Sequence, residues 1–345
     1  MPGAPRAALA AALLVAGLIA GCGAAGGVGD QATLLPQGPA SAPRDGPVAA
    51  GTVLALGSPA TAVVIDPRTG TVAVALTDPP RLHLSPLNAR AAAHQRPVRQ
   101  VPLPGPAADL VLAVDGGALL VPVTAPATLV SVPLDGGAPS RTDLDGTPRG
   151  VVAVGGRIVV ALGDRLVVLD GDGAQRTVPG FAEAVRLVPA GIPAGSRVAV
   201  LDRARTAVSL VDPAAGQAGP ALRAGNGAVN VVADRFGRVL VTDLRDGELL
   251  VFAGDPLLLR QRFPLPGAPY GLAYDGRRDL AWVTLTARNE VVGLQMRGGE
   301  PVVVHRFPTV RQPDSVAVDP ASGQVVVVSA SGAGLQVIDP ERVVH

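Results

Sequence analysis

The chain has 345 residues, 48% hydrophobic and 17% charged, with 29 basic against 28 acidic residues and a formal net charge of +1. That composition excludes disorder over most of the length, and so small a net charge gives no bulk field to attract nucleic acid or an anionic surface. Aromatic residues, at 2%, are too few to stack bases, which excludes nucleic acid as a partner.

Residues 1–21 read as an export signal. Arg6 precedes an apolar run from Ala7 to Ala20. Fourteen residues span only about 21 Å as a helix, short of the roughly 30 Å hydrocarbon core, so the run fits a signal-peptide h-region better than a membrane span. It ends Ile19-Ala20-Gly21-Cys22, which resembles a bacterial lipobox. That resemblance implies cleavage before Cys22 and a diacylglycerol thioether on its sulfur, placing the protein outside the cytoplasm on the cell membrane. The alternative is an ordinary secretory signal with Cys22 an incidental thiol. Cys22 is the one cysteine, so the mature domain relies on packing and not on an internal disulfide. Gly21-Cys22-Gly23-Ala24-Ala25-Gly26 matches a dinucleotide fingerprint in letters, but lacks the preceding strand and following helix the motif requires. Residues 22–47, rich in Gly, Ala, Pro and Ser, read as the lipidated cysteine and a flexible tether.

From Val48 to His345 the chain repeats. Seven segments lead into a short apolar strand: Gly57–Asp66, Gly105–Asp115, Gly146–Gly156, Gly180–Pro189, Gly225–Asp234, Gly267–Asp275 and Arg311–Asp319. Each is followed by a Gly-containing turn, a β-branched second strand and a third strand, as in Val325–Ser329 and Leu335–Ile338 of the last unit. A period of about 42 residues is that of a propeller blade. Six units carry a fourth strand, while the seventh stops after Leu335–Ile338. Val48–Leu56, ahead of the first unit, can supply the missing outer strand. The spacing therefore predicts an all-β, seven-bladed propeller, residues 48–345, whose N-terminal strand closes the last blade. An open solenoid would show capping repeats instead.

The repeats resemble the YVTN-type β-propellers, near the NHL and lactonase-like groups, over Val48–Pro340. The resemblance is carried by Pro269–Asp275, Pro313–Asp319 and the degenerate tetrads around Val241-Thr242-Asp243, Trp282-Val283-Thr284 and Val327-Val328-Ser329. It implies the fold and an envelope location, and no single activity. No WD dipeptide or Gly-His pair is present, so the WD40 family is not indicated.

Chemistry-bearing motifs are sparse. His83, His94, His305 and His345 show no metal-ligand spacing, no G-x-S-x-G elbow occurs, and Asp with Pro and Gly in the turns is ordinary β-turn chemistry. What varies from unit to unit is the residue at the start of each inner strand, which in a propeller lines the mouth of the channel: Thr61, Asp109, Arg149, Glu183, Asn230, Tyr270 and Asp314. The loops between second and third strands add Asp78, Asp202, Arg203, Arg205, Asp243, Arg245, Arg288 and Asn289 to the same face. Mixed polar groups converging on a concavity are the usual form of a binding site, although a mouth is also polar simply by being wet. The reading is a monomeric, membrane-anchored binding or scaffold module without a cofactor, taking an envelope protein or a small extracytoplasmic ligand. The alternative is a lactonase-like hydrolase in which mouth carboxylates hold a divalent metal; Glu183, Asn230 and Asp314 are the right residue types, and Arg149 would oppose the ion.

Overall fold

The computed structural model describes residue 1 and residues 32–35, 38–87, 98–113, 116–171, 173–191 and 195–342. Cys22, the signal segment after Met1, His94 and His345 lie outside the described residues.

Runs of Val, Leu, Ala and Ile between Gly- and Asp-bearing turns fold as antiparallel strands throughout. After β1 (Thr52–Leu54), the first sheet is β2 (Ala60–Asp66), β3 (Thr71–Thr77), β4 (Pro80–Pro86) and β5 (Arg99–Pro102). The second is β6 (Val111–Leu112), β7 (Ala118–Val123), β8 (Thr128–Pro133) and β9 (Ser140–Asp143). A larger sheet follows: β10 (Gly150–Val154), β11 (Arg157–Ala161), β12 (Gly163–Leu169), β13 (Gln175–Ala190), β14 (Arg197–Asp202), β15 (Ala207–Asp212) and β16 (Gln217–Arg223). Its long member β13 serves twice, pairing through Gln175–Pro179 with β12 and through Ala184–Ala190 with β14. It is thus the outer strand of one blade and the inner strand of the next. Next come β17 (Ala228–Ala233), β18 (Val239–Asp243), β19 (Glu248–Ala253) and β20 (Leu258–Pro264), then β21 (Pro269–Asp275), β22 (Leu280–Leu285), β23 (Glu290–Gln295) and β24 (Val302–Pro308). The last sheet is β25 (Pro313–Val318), β26 (Val325–Ser329) and β27 (Leu335–Ile338), completed by β1 in the register Thr52↔Val337, Val53↔Gln336 and Leu54↔Leu335.

The inner strands neighbour one another in an unbroken cycle, β2–β6–β10–β13–β17–β21–β25 and back to β2. The sheets therefore radiate from an axis as the blades of a propeller, numbered here one to seven from β2.

Both faces of each blade are covered, so its strands read as continuous apolar runs while keeping the two-residue alternation. Along β22, Ala281, Val283 and Leu285 pack with Leu240, Leu249 and Val251 of the fifth blade. Leu280 and Trp282 point the other way, onto Val316, Val325 and Val327 of the seventh. The core is thus divided among the blade interfaces, and the one that joins the ends of the ring sets Val326, Val328 and Leu335 against Val63, Val72 and Leu76. Trp282 stands opposite Gly293, which stands opposite His305. A Cβ on Gly293 would lie 2.9 Å from the indole ring, so glycine is what lets Trp282 cross β23 and stack on His305 at 5.4 Å.

Closure by β1 is made mostly through polar groups. The side chains of Thr52, Val53 and Leu54 are all exposed, so the strand buries little apolar surface. The fully buried Gln336 instead donates from Nε2 to Ala50 O at 2.7 Å and to Pro308 O at 3.0 Å, and accepts from Val310 N at 2.9 Å. A chain beginning at Gly57 loses the β1 ladder and leaves this amide with an open donor, which costs about 1–3 kcal/mol for the buried group alone. Its thermal melt should fall several degrees below that of a chain beginning at Gly46; coincident melts would mean that β1 does not hold the ring.

Candidate functional site at the channel mouth

Where a lead-in loop reaches the axis, it is tied to the end of the second strand of the same blade. In the first two blades Thr77 and Thr124 donate from the amide to Pro59 O (3.0 Å) and Pro106 O (3.2 Å), with their hydroxyls on the same carbonyls. In the fourth, the buried Asp202 accepts from Ala182 N (2.8 Å) and Glu183 N (3.0 Å) and from both the backbone and the guanidinium of Arg205. In the fifth, the fully buried Asp243 accepts from Asn226 N (2.7 Å), and burial raises its pKa above the usual carboxylate range. Thr286 hydrogen bonds to Ala268 O in the sixth, and the Ser329 hydroxyl to Arg311 O at 2.6 Å in the seventh. Asp202 and Asp243 are therefore props of the mouth and not its lining.

Just inside these clasps most inner strands carry an extra residue, seen as register shifts at Ala60/Ala62, Ala184/Arg186, Ala228/Asn230, Pro269/Leu272 and Pro313/Ser315. A bulge re-aims the extra side chain. Thr61, Val185, Val229, Tyr270 and Asp314 thereby face an upper chamber of about 300 Å3, together with Ala108 and Arg149 of the remaining blades. A lower chamber of about 320 Å3 continues down the axis, with Asp109 and Asn230 on its wall. Arg186 and Asp314 line both, forming the waist between them.

Of the seven residues expected at the mouth, Thr61, Arg149, Tyr270 and Asp314 line the upper chamber, and Asp109 and Asn230 sit one step lower. Glu183 lines neither chamber; it grips Arg203, Oε1 to Nη2 at 2.5 Å and Oε2 to Nε at 3.2 Å, and Arg203 is the lining group. Sequence reasoning missed Arg186. Its signal is a charge within the otherwise apolar Val185–Arg186–Leu187–Val188, where only an axial channel can receive it. Arg186 is ion-paired with Asp109, whose negative charge raises the guanidinium's pKa further. Asn230 Nδ2 donates to Tyr270 O at 2.9 Å. Burial raises the Tyr270 phenol's pKa. Burial likewise pushes the Asp314 carboxyl up to about 6, against a single donated bond from Gln312 Nε2 at 2.8 Å. Arg149 is exposed, and its guanidinium has no partner among the described residues.

Gln312 also brings part of the N-terminal segment to this face. Its side chain accepts from Ala42 N and donates to Ala40 O, both at 3.0 Å. Asn289 Nδ2 donates to Pro43 O at 3.0 Å, Arg245 to Leu35 O at 3.3 Å, and Leu34 N to Ala204 O at 2.6 Å. Leu34–Leu35 and Ala40–Pro43 thus rest on the rims of blades four to seven. The described histidines lie elsewhere, His83 on β4 and His305 on β24.

No family model matches the chain, and no curated protein does either. Solved structures do. A chain of the hydrazine synthase of Kuenenia stuttgartiensis is similar at a TM-score of 0.68 and 14% identity, covering 88% of this chain and 99% of that one. A streptogramin B lyase is similar at 0.68 and 11%, covering 83% and 95%. Virginiamycin B lyase of Staphylococcus aureus, as a catalytically inactive alanine variant with quinupristin, is similar at 0.67 and 13%, covering 82% and 96%. The likeness is one of fold: this chain is a β-propeller. At such identities it carries no activity across.

Two outcomes follow from this geometry. Asp202→Ala removes the acceptor of four hydrogen bonds, two of them from the fourth lead-in; it should cost about 3 kcal/mol or more, read by denaturant unfolding. For Asp314 the folded pKa of about 6 lies above the ordinary 3.8, so the native state holds the extra proton between those values. Its contribution is then fully present below about pH 4 and lost as pH rises through about 6. Asp314→Asn should melt with the parent at pH 4 and above it at pH 7; a constant difference across that range would remove the assigned titration.

Proposed function

We propose that the protein is an extracytoplasmic binding module, lipid-anchored through Cys22, whose ligand sits in the upper chamber. The observation that carries this reading is the unpartnered guanidinium of Arg149 in a chamber whose lining holds three arginines and a single acid. Cations held ready at a concave mouth, on a ring whose own net charge is near zero, are a local recognition device and not a steering field. The lipobox-like Ile19-Ala20-Gly21-Cys22 supports the anchor and the envelope location.

The hydrolase alternative draws no comparable support. Both carboxylate oxygens of Glu183 are held by Arg203 and the residue lines neither chamber, Asn230 sits one step below the upper chamber, and Asp314 alone brings a carboxylate to that chamber's wall. Among the described residues no three His, Cys, Asp or Glu side chains gather as a metal site. A divalent cation needs several acidic or carbonyl oxygens converging on it, and Asp314 is the single acid lining the upper chamber.

Cys22→Ser should leave the protein unprocessed or release it from membranes. Processing and fractionation like the parent would sink the anchor. In elemental analysis, the dialysed full-length protein should retain no equimolar divalent metal. Stoichiometric metal that disappears in Asp314→Ala would favour the hydrolase instead.

A further inference from the structure

The charges of the upper chamber do not all cancel within the protein. Arg186 is neutralised from below by Asp109, and Arg203 from the side by Glu183. Two groups are left over. Arg149 has no acidic partner among the described residues, and Asp314 has no cationic one, only the Gln312 amide. They belong to blades three and seven, three steps apart in the cycle of inner strands, so they face each other across the mouth. The Tyr270 and Thr61 hydroxyls line the same space with no hydrogen-bond partner among the described residues.

An inorganic anion would satisfy Arg149 but stand against the like charge of Asp314. A lone cation would satisfy Asp314 but leave Arg149 unanswered and stand against its like charge. A ligand with one anionic and one cationic end, separated by a few bonds of polar chain, answers both leftover charges and offers the hydroxyls something to bind. A chamber of about 300 Å3 suits a small molecule and not a folded partner.

Resting on the reading of this chamber as a binding site, we propose that it takes a short zwitterionic peptide, the terminal carboxylate on Arg149 and the terminal ammonium on Asp314. The guanidinium fork provides two parallel donors to a carboxylate. Asp314, half-buried and weakly solvated, gains more from an arriving ammonium than an exposed carboxylate would.

The test is titration calorimetry on the detergent-solubilised full-length protein with trialanine, N-acetyl-trialanine, trialanine amide and inorganic phosphate. Trialanine should bind saturably, and each capped form about tenfold or more weakly, since each lacks one charge-assisted contact. Arg149→Gln should become indifferent to C-terminal amidation yet still discriminate against the acetyl group. Asp314→Asn should show the reverse pattern. Melting temperatures no lower than the parent's establish that both variants are folded. Absence of saturable trialanine binding, equal binding of capped and free peptides, phosphate binding as tight as trialanine, or the same losses in both variants would each overturn the proposal. Loss of some other small ligand in Arg149→Gln, with the peptides inert, overturns the peptide class and leaves the binding-module reading standing. Ligand binding that no mouth substitution alters overturns both.

Discussion

Lead-in loops arrive at the axis with few strand partners for their backbone groups. In six of the seven blades a polar side chain at or just past the end of the second strand takes some of them, and in the third the tie is the backbone bond from Arg149 N to Ala161 O. Unpaired, those amides and carbonyls would either be buried at a cost or pull the loop away into water. Threonine does this in the first two blades and the sixth, aspartate in the fourth and fifth, and serine in the seventh. With the backbone so held, the side chains of Thr61, Arg149, Tyr270 and Asp314 are spared that duty. That freedom explains why Thr61, Arg149, Tyr270 and Asp314 differ so widely while the residues after them stay apolar.

The blade pattern was legible because two-sided burial writes it plainly: four or five apolar residues between Asp, Gly and Pro, seven times. The surplus strand at one end and the deficit at the other were equally plain, and β1 does pair with β27. What burial does not write is register at the mouth. A bulge adds one residue, and one residue reverses which way every later side chain points. In the fourth and fifth blades the residues turned up to the chamber are Val185 and Val229, with Arg186 at the waist, Asn230 one step below and Glu183 outside. The exposed side chains of β1 were hidden as well. The apolar letters of VAAGTVLAL do not reveal that Thr52, Val53 and Leu54 stay exposed at the outer edge of the last blade.

The mouth also divides labour between its pairs. Asp109–Arg186 and Glu183–Arg203 are each built across two elements, so they hold the loops in register as well as balancing charge. Removing one partner leaves the other charge uncompensated beside the chamber, so substitutions at Asp109 or Glu183 act on the fold and the site together. Arg149, with no such tie, can be altered without disturbing the scaffold.

The seating of Leu34–Leu35 and Ala40–Pro43 on the mouth face shortens the leash. Between Cys22 and Leu34 lie twelve peptide steps, a contour of at most about 40 Å. In the lipid-anchored reading the chain leaves the domain from the face that carries the channel, so the mouth is turned toward the bilayer and held close above it. Anything that reaches Arg149 must then pass through the thin layer between domain and membrane, where large solutes are excluded and lateral diffusion along the surface replaces free approach.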